Sequence, residues 1–133
     1  MTFNVIDMID INKQITYWRD GAIEDWEVAR ELISSDRGRH GLFFAHLAIE
    51  KLVKAHICRS TKDLAPRIHN LVRLADIAEL SLNQSQTDIM AEMNAFSVEG
   101  RYPDSFIEPI SYSEAKEYLS RAEEVYQWLM NQL

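Results

Sequence analysis

Charged and titratable side chains recur at helical spacing in the segment FFAHLAIEKLVKAHI, residues 43–57. His46, Glu50 and Lys54 are four residues apart, so on a helix they stack in one strip, with Lys51 at the edge of the neighbouring apolar face. If that strip is solvated, its acid-before-base pair contributes about 0.3–0.5 kcal/mol and has only a structural role. If the fold leaves the strip as a cleft, the same side chains present a cationic, histidine-bearing wall to phosphates.

The strip lies in the basic part of a chain whose charge is unevenly distributed. The net charge is −7. Residues 37–73 nevertheless carry eight basic and two acidic side chains, together with all four histidines. The overall charge argues against indiscriminate binding to polyanions, because local fields decide where an anion can bind. The basic segment therefore indicates either a local anion site or helix faces that are neutralised by acidic helices of the same chain.

Three other chemistries are possible on residue type, but their patterns support them poorly. Arg39 and His46 form an Arg-x6-His pattern, which would place a charge stabiliser two helical turns from a general acid or base. This pattern arises readily by chance in a segment rich in both residue types. His46 and Glu50 could chelate a metal, but zinc needs three or four ligands and no second pair is visible, so we expect no metal and no cofactor. Cys58 could be a nucleophile, but it continues an apolar stripe, which predicts a buried structural thiol.

Amphipathic stripes predict an all-α fold, an antiparallel up-and-down bundle of four main helices and one short helix. The chain contains only 4 Gly and 3 Pro, which leaves few residues for the turns of several strands. The first helix should span about residues 11–34, with its stripe at Trp18, Ala22, Trp26, Ala29 and Ile33. The second should span about residues 39–59. We expect one domain over residues 1–133.

Capping residues and prolines predict where the remaining helices begin. Asn70 should cap the short helix and Ser85 a fourth helix. Ser111 and Glu114 have the spacing of a capping box at the start of the last helix, which runs to the C-terminus. The run EGRYPDSFIEPI, residues 99–110, contains two prolines and should form an extended arm.

The aromatic residues of the first and last helices should pack in the core, and any exposed remainder would mark a subunit interface. They are Trp18, Trp26, Tyr118, Tyr126 and Trp128.

No stretch approaches the roughly 18 apolar residues that span a bilayer, and the N-terminal residues lack the pattern of a signal peptide. With a single cysteine, no intramolecular disulfide can form. We therefore expect a soluble protein of the reducing cytoplasm.

Several of these motifs together resemble a known family. AIEKLVKA (48–55), RIHNLVRL (67–74) after a proline-containing loop, and RYPD (101–104) follow the first-helix pattern DWEVARELI (25–33). In this order and spacing they are similar to the HEPN domain, the higher eukaryotes and prokaryotes nucleotide-binding domain. The resemblance covers about residues 18–130.

The resemblance implies a helical bundle that is usually a homodimer and is often encoded beside a minimal nucleotidyltransferase partner. It connects the chain with nucleotide binding, toxin-antitoxin systems and RNA cleavage. Glu50, Lys51 and Lys54 match the second-helix motif, His69 the short-helix motif, and the arm motif includes Arg101, Tyr102 and Pro103. Ribonuclease members carry an Arg followed after four to six residues by His near a later helix. Here no histidine follows His69.

These observations predict a non-catalytic HEPN-like module that binds a nucleotide, a nucleic acid or a nucleotidyltransferase-type partner. The alternative is a toxin-antitoxin ribonuclease that cleaves RNA without a metal, using Arg39 and His46 or another site. In the first case Glu50 orients one lysine, while a free ammonium group and Arg101 contact phosphate oxygens. The predicted ligand-binding face consists of His46, Glu50, Lys51, Lys54, His69 and Arg101.

Overall fold

Five α-helices form the part of the chain that the computed structural model describes, residues 9–97 and 109–133. They are α1 (Ile11–Ser34), α2 (Gly38–Thr61), α3 (Leu71–Ile77), α4 (Gln84–Met93) and α5 (Tyr112–Gln132), with a 3-10 turn at Asn94–Phe96 after α4. No strand occurs within these ranges. The predicted all-α bundle of four main helices and one short helix, α3, is confirmed.

Helix α1 forms a hairpin with α2 and packs along it. The side chain of Asp10 caps α1 by accepting a hydrogen bond from the backbone N–H of Lys13 at 3.1 Å. The buried residues of α1 are Ala22, Trp26, Ala29 and Ile33, which belong to the stripe that the sequence predicts. Its fifth member, Trp18, is half-buried.

The close approach of the two helices depends on Gly41 of α2. A Cβ atom on Gly41 would lie 2.4 Å from Cγ1 of Ile33 and 3.0 Å from the backbone oxygen of Ala29. Both distances are shorter than van der Waals contact, so only glycine fits here without a shift of α1.

Helix α2 is the central element, since α1, α3 and α5 all pack against it. Two apolar faces account for most of its burial, and Cys58 is buried as predicted. Burial raises the pKa of this thiol, because the thiolate would lose its hydration. The strip of His46, Glu50 and Lys54 is also buried. Neither a solvated strip nor an open cleft is therefore present, because other elements cover it.

Helix α3 packs on α2 and on α4, and paired asparagines also connect α3 with the end of α4. Asn70 caps α3, as predicted, by accepting from the N–H of Arg73 at 3.1 Å. Asn94, after α4, accepts from the N–H of Leu71 at 2.9 Å and donates to Asn70 at 3.2 Å. The prediction of Ser85 as the cap of α4 is wrong. Asn83 caps this helix, in a capping box with Gln86.

The last helix begins at its predicted cap, because Ser111 accepts from the N–H of Glu114 at 3.1 Å. At its other end, Arg59 of α2 donates to the carbonyl oxygens of Gln132 and Leu133 at 2.8 and 3.0 Å. His56 Nε2 lies 2.9 Å from the carbonyl oxygen of Leu129, to which it donates. These bonds satisfy carbonyl groups at the C-terminal end of α5, where the helix has no further N–H groups to donate to them.

Aromatic packing between α1 and α5 agrees with the prediction for the first and last helices. Trp26 and Tyr126 are buried and stack with ring centroids 4.4 Å apart. Tyr118 and Trp128 are partly buried against the core.

None of the described helices has a stretch that is long and apolar enough to cross a membrane. Residues 99–108 of the predicted arm lie outside the described part of the chain. Arg101, Tyr102 and Pro103 are among them.

Candidate ligand-binding site

The carboxylate of Glu50 is the centre of a buried polar cluster between α2 and the segment that leads into α3. Its Oε2 atom accepts a hydrogen bond from Nζ of Lys54 at 3.1 Å. Its Oε1 atom lies 3.1 Å from Nδ1 of His69 and 3.8 Å from Nδ1 of His46. We call these four residues the Glu50 cluster. The helical spacing predicts three of its members, and the turn before α3 brings the fourth.

His69 is the solvent-facing member of the Glu50 cluster. Its side chain is 60% exposed, whereas that of Glu50 is 6% exposed. An ionised carboxylate can only accept hydrogen bonds, so Nδ1 of His69 must carry the hydrogen in this bond. In the neutral ring Nε2 is then an acceptor, and in the protonated ring it is a donor. Nε2 has no partner among the described residues, so a ligand can contact it.

His46 lies at the buried end of the cluster. Burial lowers the pKa of its ring, and the neighbouring Glu50 carboxylate offsets only part of this effect. The backbone of His69 and the side chain of Asn94 are close to the ring. Within the described part of the chain, neither ring nitrogen is in hydrogen-bond geometry. His46 is therefore a neutral, buried imidazole at pH 7.

Lys54 is a buried cation that depends on two neighbours. Its side chain is 6% exposed, and its ammonium group pairs with Glu50 and lies 5.2 Å from the ring centroid of Trp18. A buried ammonium group is costly unless a carboxylate or an aromatic face compensates for its lost hydration. The Lys54 ammonium group is therefore held in the interior by Glu50 and Trp18.

The structure places Lys51 outside the cluster. Its ammonium group pairs with Asp25 of α1 at 2.7 Å, and its side chain packs beside Gly21. The sequence predicts a free ammonium group for phosphate contact, but that of Lys51 is engaged with a carboxylate. Among the predicted site residues, the structure joins His46, Glu50, Lys54 and His69, and separates Lys51 from them. Arg101 lies outside the described residues.

The Arg-x6-His pattern does not form a compact pair. Arg39 is in the first turn of α2, beside a surface pocket that His40 and Pro109 also line. His46 is seven residues further along, about 10 Å along the helix axis, and is buried. The described residues also contain no group of three or more His, Cys, Asp or Glu side chains arranged to hold a metal ion.

Three neighbours of the predicted site could not be recognised as such from the sequence. Asp25 binds Lys51, Trp18 covers Lys54, and Asn94 lies beside His46 and binds the start of α3. Each comes from another helix or turn. The only available signal was their polar or aromatic character next to an inward stripe, which does not identify a partner.

The comparison with family models gives a match to the HEPN domain over residues 15–133. This chain belongs to the HEPN domain family. Comparison with solved structures agrees with this assignment. The HEPN chain described here is similar to TT1696 from Thermus thermophilus, with a TM-score of 0.75, 18% identity and coverage of 90% of this chain and 98% of that one.

A second solved structure with the HEPN fold is ST0689, described as an archaeal HEPN homologue. The TM-score is 0.71 and the identity 22%, with coverage of 89% of this chain and 96% of that one. At these identities the two neighbours show the shared fold. No curated protein matches the sequence.

Membership of the HEPN family makes the departure from the ribonuclease pattern more informative. No histidine follows His69 in the sequence, so the Arg and His pair of the nuclease members has no counterpart at its expected place. Within the Glu50 cluster, His69 is the exposed member.

Proposed function

We propose that this HEPN protein is a non-catalytic binding module that contacts a nucleotide or a single-stranded nucleic acid through the surface around His69. The observation that carries this proposal is the bond between an exposed imidazole and a buried carboxylate, His69 Nδ1 to Glu50 Oε1 at 3.1 Å. Glu50 fixes the ring and its tautomer, so that Nε2 is presented to solvent with little loss of entropy on binding. Lys54 holds Glu50 in turn.

The charge around His69 supports an anionic ligand. Between Arg59 and Arg73 the chain has four basic residues and one acidic residue, and all of these are exposed. Arg59 is engaged with the end of α5, whereas Arg67 and Arg73 flank His69 in the sequence. Phosphate oxygens accept charge-assisted hydrogen bonds from guanidinium groups and from a protonated imidazole. Binding should therefore weaken as salt increases.

The same bond favours one alternative, cleavage of RNA without a metal. A buried carboxylate that accepts Nδ1–H orients many histidines that transfer protons in catalysis. His69 could then act as a general base on a ribose hydroxyl group. In contrast, the buried and neutral His46 is poorly placed to serve with Arg39. The catalytic alternative therefore depends on His69 rather than on the Arg-x6-His pattern.

One experiment separates binding from cleavage. Fluorescently labelled single-stranded RNA is mixed with the wild type, His69→Ala and the control His40→Ala, which changes an exposed histidine outside the Glu50 cluster. Anisotropy measures binding, and a denaturing gel measures the integrity of the same RNA. We expect intact RNA and a roughly tenfold loss of affinity in His69→Ala alone, which is a typical value for one charge-assisted hydrogen bond.

Two results would reject the proposed function. Cleavage that His69→Ala abolishes would make the protein a ribonuclease. Equal binding by all three proteins, or no binding at low salt, would leave the Glu50 cluster with a structural role only. A His46→Ala variant adds a check on the Arg-x6-His pattern, because we expect it to change stability and not RNA integrity.

The homodimer and the nucleotidyltransferase partner remain predictions from family membership. Sedimentation at micromolar concentration tests the dimer, and a monomer would contradict it. Co-purification with a nucleotidyltransferase encoded by a neighbouring gene tests the partner. An acidic partner surface would compete with RNA for the basic residues around His69, so addition of RNA should release it.

A further inference from the structure

The loop that brings His69 to Glu50 has no hydrogen-bonded backbone of its own. It connects the end of α2 at Thr61 with the start of α3, and within the described part of the chain none of residues 63–69 makes a backbone-to-backbone hydrogen bond. Helix α3, which follows, has only seven residues. Helices this short are marginal without tertiary contacts, so side chains from elsewhere must fix the position of His69.

Asn94 supplies two hydrogen bonds at the point where this loop enters α3. Its Oδ1 atom accepts from the N–H of Leu71 at 2.9 Å, and its Nδ2 atom donates to Oδ1 of Asn70 at 3.2 Å. That Oδ1 atom of Asn70 also accepts from the N–H of Arg73, so Asn70 uses its oxygen for both bonds. A backbone N–H can only donate, which fixes the orientation of both amides. Asn94 thus holds the two residues that follow His69.

The backbone of Asn94 is anchored on the core. It is the first residue of the 3-10 turn, and the side chains of Met93 and Phe96 on either side are buried. The side chain of Asn94 lies close to the buried ring of His46, and the backbone of His69 is close to the same ring. Asn94 therefore connects the core with the turn that carries His69.

We propose that Asn94 is a positioning residue for His69: its two bonds hold the turn at the distance at which Nδ1 of His69 reaches Glu50. That hydrogen bond is 3.1 Å long, and side-chain pairs separated by about 3.6 Å or more no longer form one. A displacement of the turn by about 0.5 Å is therefore enough to break it. This inference rests on the function proposed for His69 in one respect, because the loss of RNA affinity expected below is a consequence of that function.

Nitrogen NMR of the His69 ring tests the positioning role without a ligand. We expect the ¹⁵N resonance of Nδ1 to shift in Asn94→Ala, because the bond to Glu50 is lost. The matched control is Asn83→Ala, which removes a capping asparagine at the other end of α4 and should leave this resonance in place. Circular dichroism melting verifies that both variants are folded. An Nδ1 resonance that stays unchanged in Asn94→Ala, or that shifts equally in Asn83→Ala, would overturn the proposal.

A second pair of variants tests the direction of the bond between the two asparagines. Aspartate has no N–H group in its side chain, so Asn94→Asp keeps the acceptor for Leu71 and loses the donor for Asn70. Asn70→Asp keeps the oxygen that accepts both of its bonds. Because Asn70 is next to His69 in the chain, the added charge alone would affect His69 more in Asn70→Asp. We expect the opposite, a larger shift of Nδ1 in Asn94→Asp, and an equal or larger shift in Asn70→Asp would contradict the positioning role.

RNA binding then shows whether Asn94 acts through His69. Asn94→Ala should weaken binding of single-stranded RNA about as much as His69→Ala does, by roughly tenfold. In the double variant the loss should stay at about tenfold rather than reach about a hundredfold, because the two residues act as one unit. Additive losses would overturn the proposal. If the wild type binds no RNA, the proposed function fails, while the Nδ1 resonance still decides whether Asn94 positions His69.

Discussion

Replacement of Glu50 by glutamine tests the buried ion pair most severely. The change keeps the size of the side chain but removes the negative charge that compensates Lys54, whose side chain is only 6% exposed. Loss of one partner from a buried pair costs about 3–5 kcal/mol. The amide oxygen of glutamine can still accept a hydrogen bond, so we expect about 3 kcal/mol and a decrease in melting temperature of about 10 °C for a chain of this size.

Urea unfolding followed by circular dichroism measures this free energy. Lys51→Met is the matched control, because it breaks the ion pair with Asp25, in which the lysine side chain is 27% exposed. That variant should lose about 1 kcal/mol. The double variant Glu50→Gln/Lys54→Met removes both buried charges and should be more stable than Glu50→Gln alone, with a coupling energy of about 1–3 kcal/mol. Equal losses of stability in Glu50→Gln and Lys51→Met would refute the reasoning. So would a double variant whose loss of stability is the sum of the losses in Glu50→Gln and Lys54→Met.

Three further predictions concern the scaffold. Burial lowers the pKa of both His46 and His56, so on acidification the unfolded chain binds protons before the folded chain does. The free energy of unfolding, which is highest above about pH 6.5, should therefore decrease as the pH falls, by up to about 1.4 kcal/mol per pH unit for each histidine. Urea unfolding from pH 7.5 to 5 measures this, and a flat profile would contradict it. Gly41→Ala should cost about 1–3 kcal/mol by overpacking against Ile33, and an unchanged melting temperature would argue against that close contact. Arg59→Ala should cost about 1 kcal/mol and accelerate amide exchange in the last turn of α5, whereas unchanged exchange would show that its two bonds contribute little.

The helices were predictable because local patterns determine them. The stripe from Trp18 to Ile33 predicted α1 with the bounds that the structure has, and Asn70 and Ser111 cap the predicted helices. The cap of α4 was missed because Ser85 and Asn83 are both good capping residues. What distinguishes Asn83 is Gln86 three residues later, which completes the reciprocal capping box.

The Glu50 cluster was only partly predictable, since helical spacing reports neighbours on one helix and not across helices. The pair of Glu50 and Lys54 follows from the i, i+4 rule, and the structure contains it. Its burial does not follow from that rule, because covering groups such as Trp18 come from other segments. For Lys51, the sequence alone cannot show that Asp25, 26 positions earlier, occupies the ammonium group. Charge counts therefore overstated the number of cations available to a ligand.

The most direct test of the central claim is NMR of the His69 ring nitrogens with and without single-stranded RNA. In the free protein, the two-bond ¹H–¹⁵N spectrum should show that Nδ1 of His69 carries hydrogen, as the bond to Glu50 requires. Addition of RNA should shift Nε2 much more than Nδ1, and the RNA should stay intact. Unchanged His69 nitrogens while other resonances shift, or cleavage of the RNA during the titration, would contradict the account.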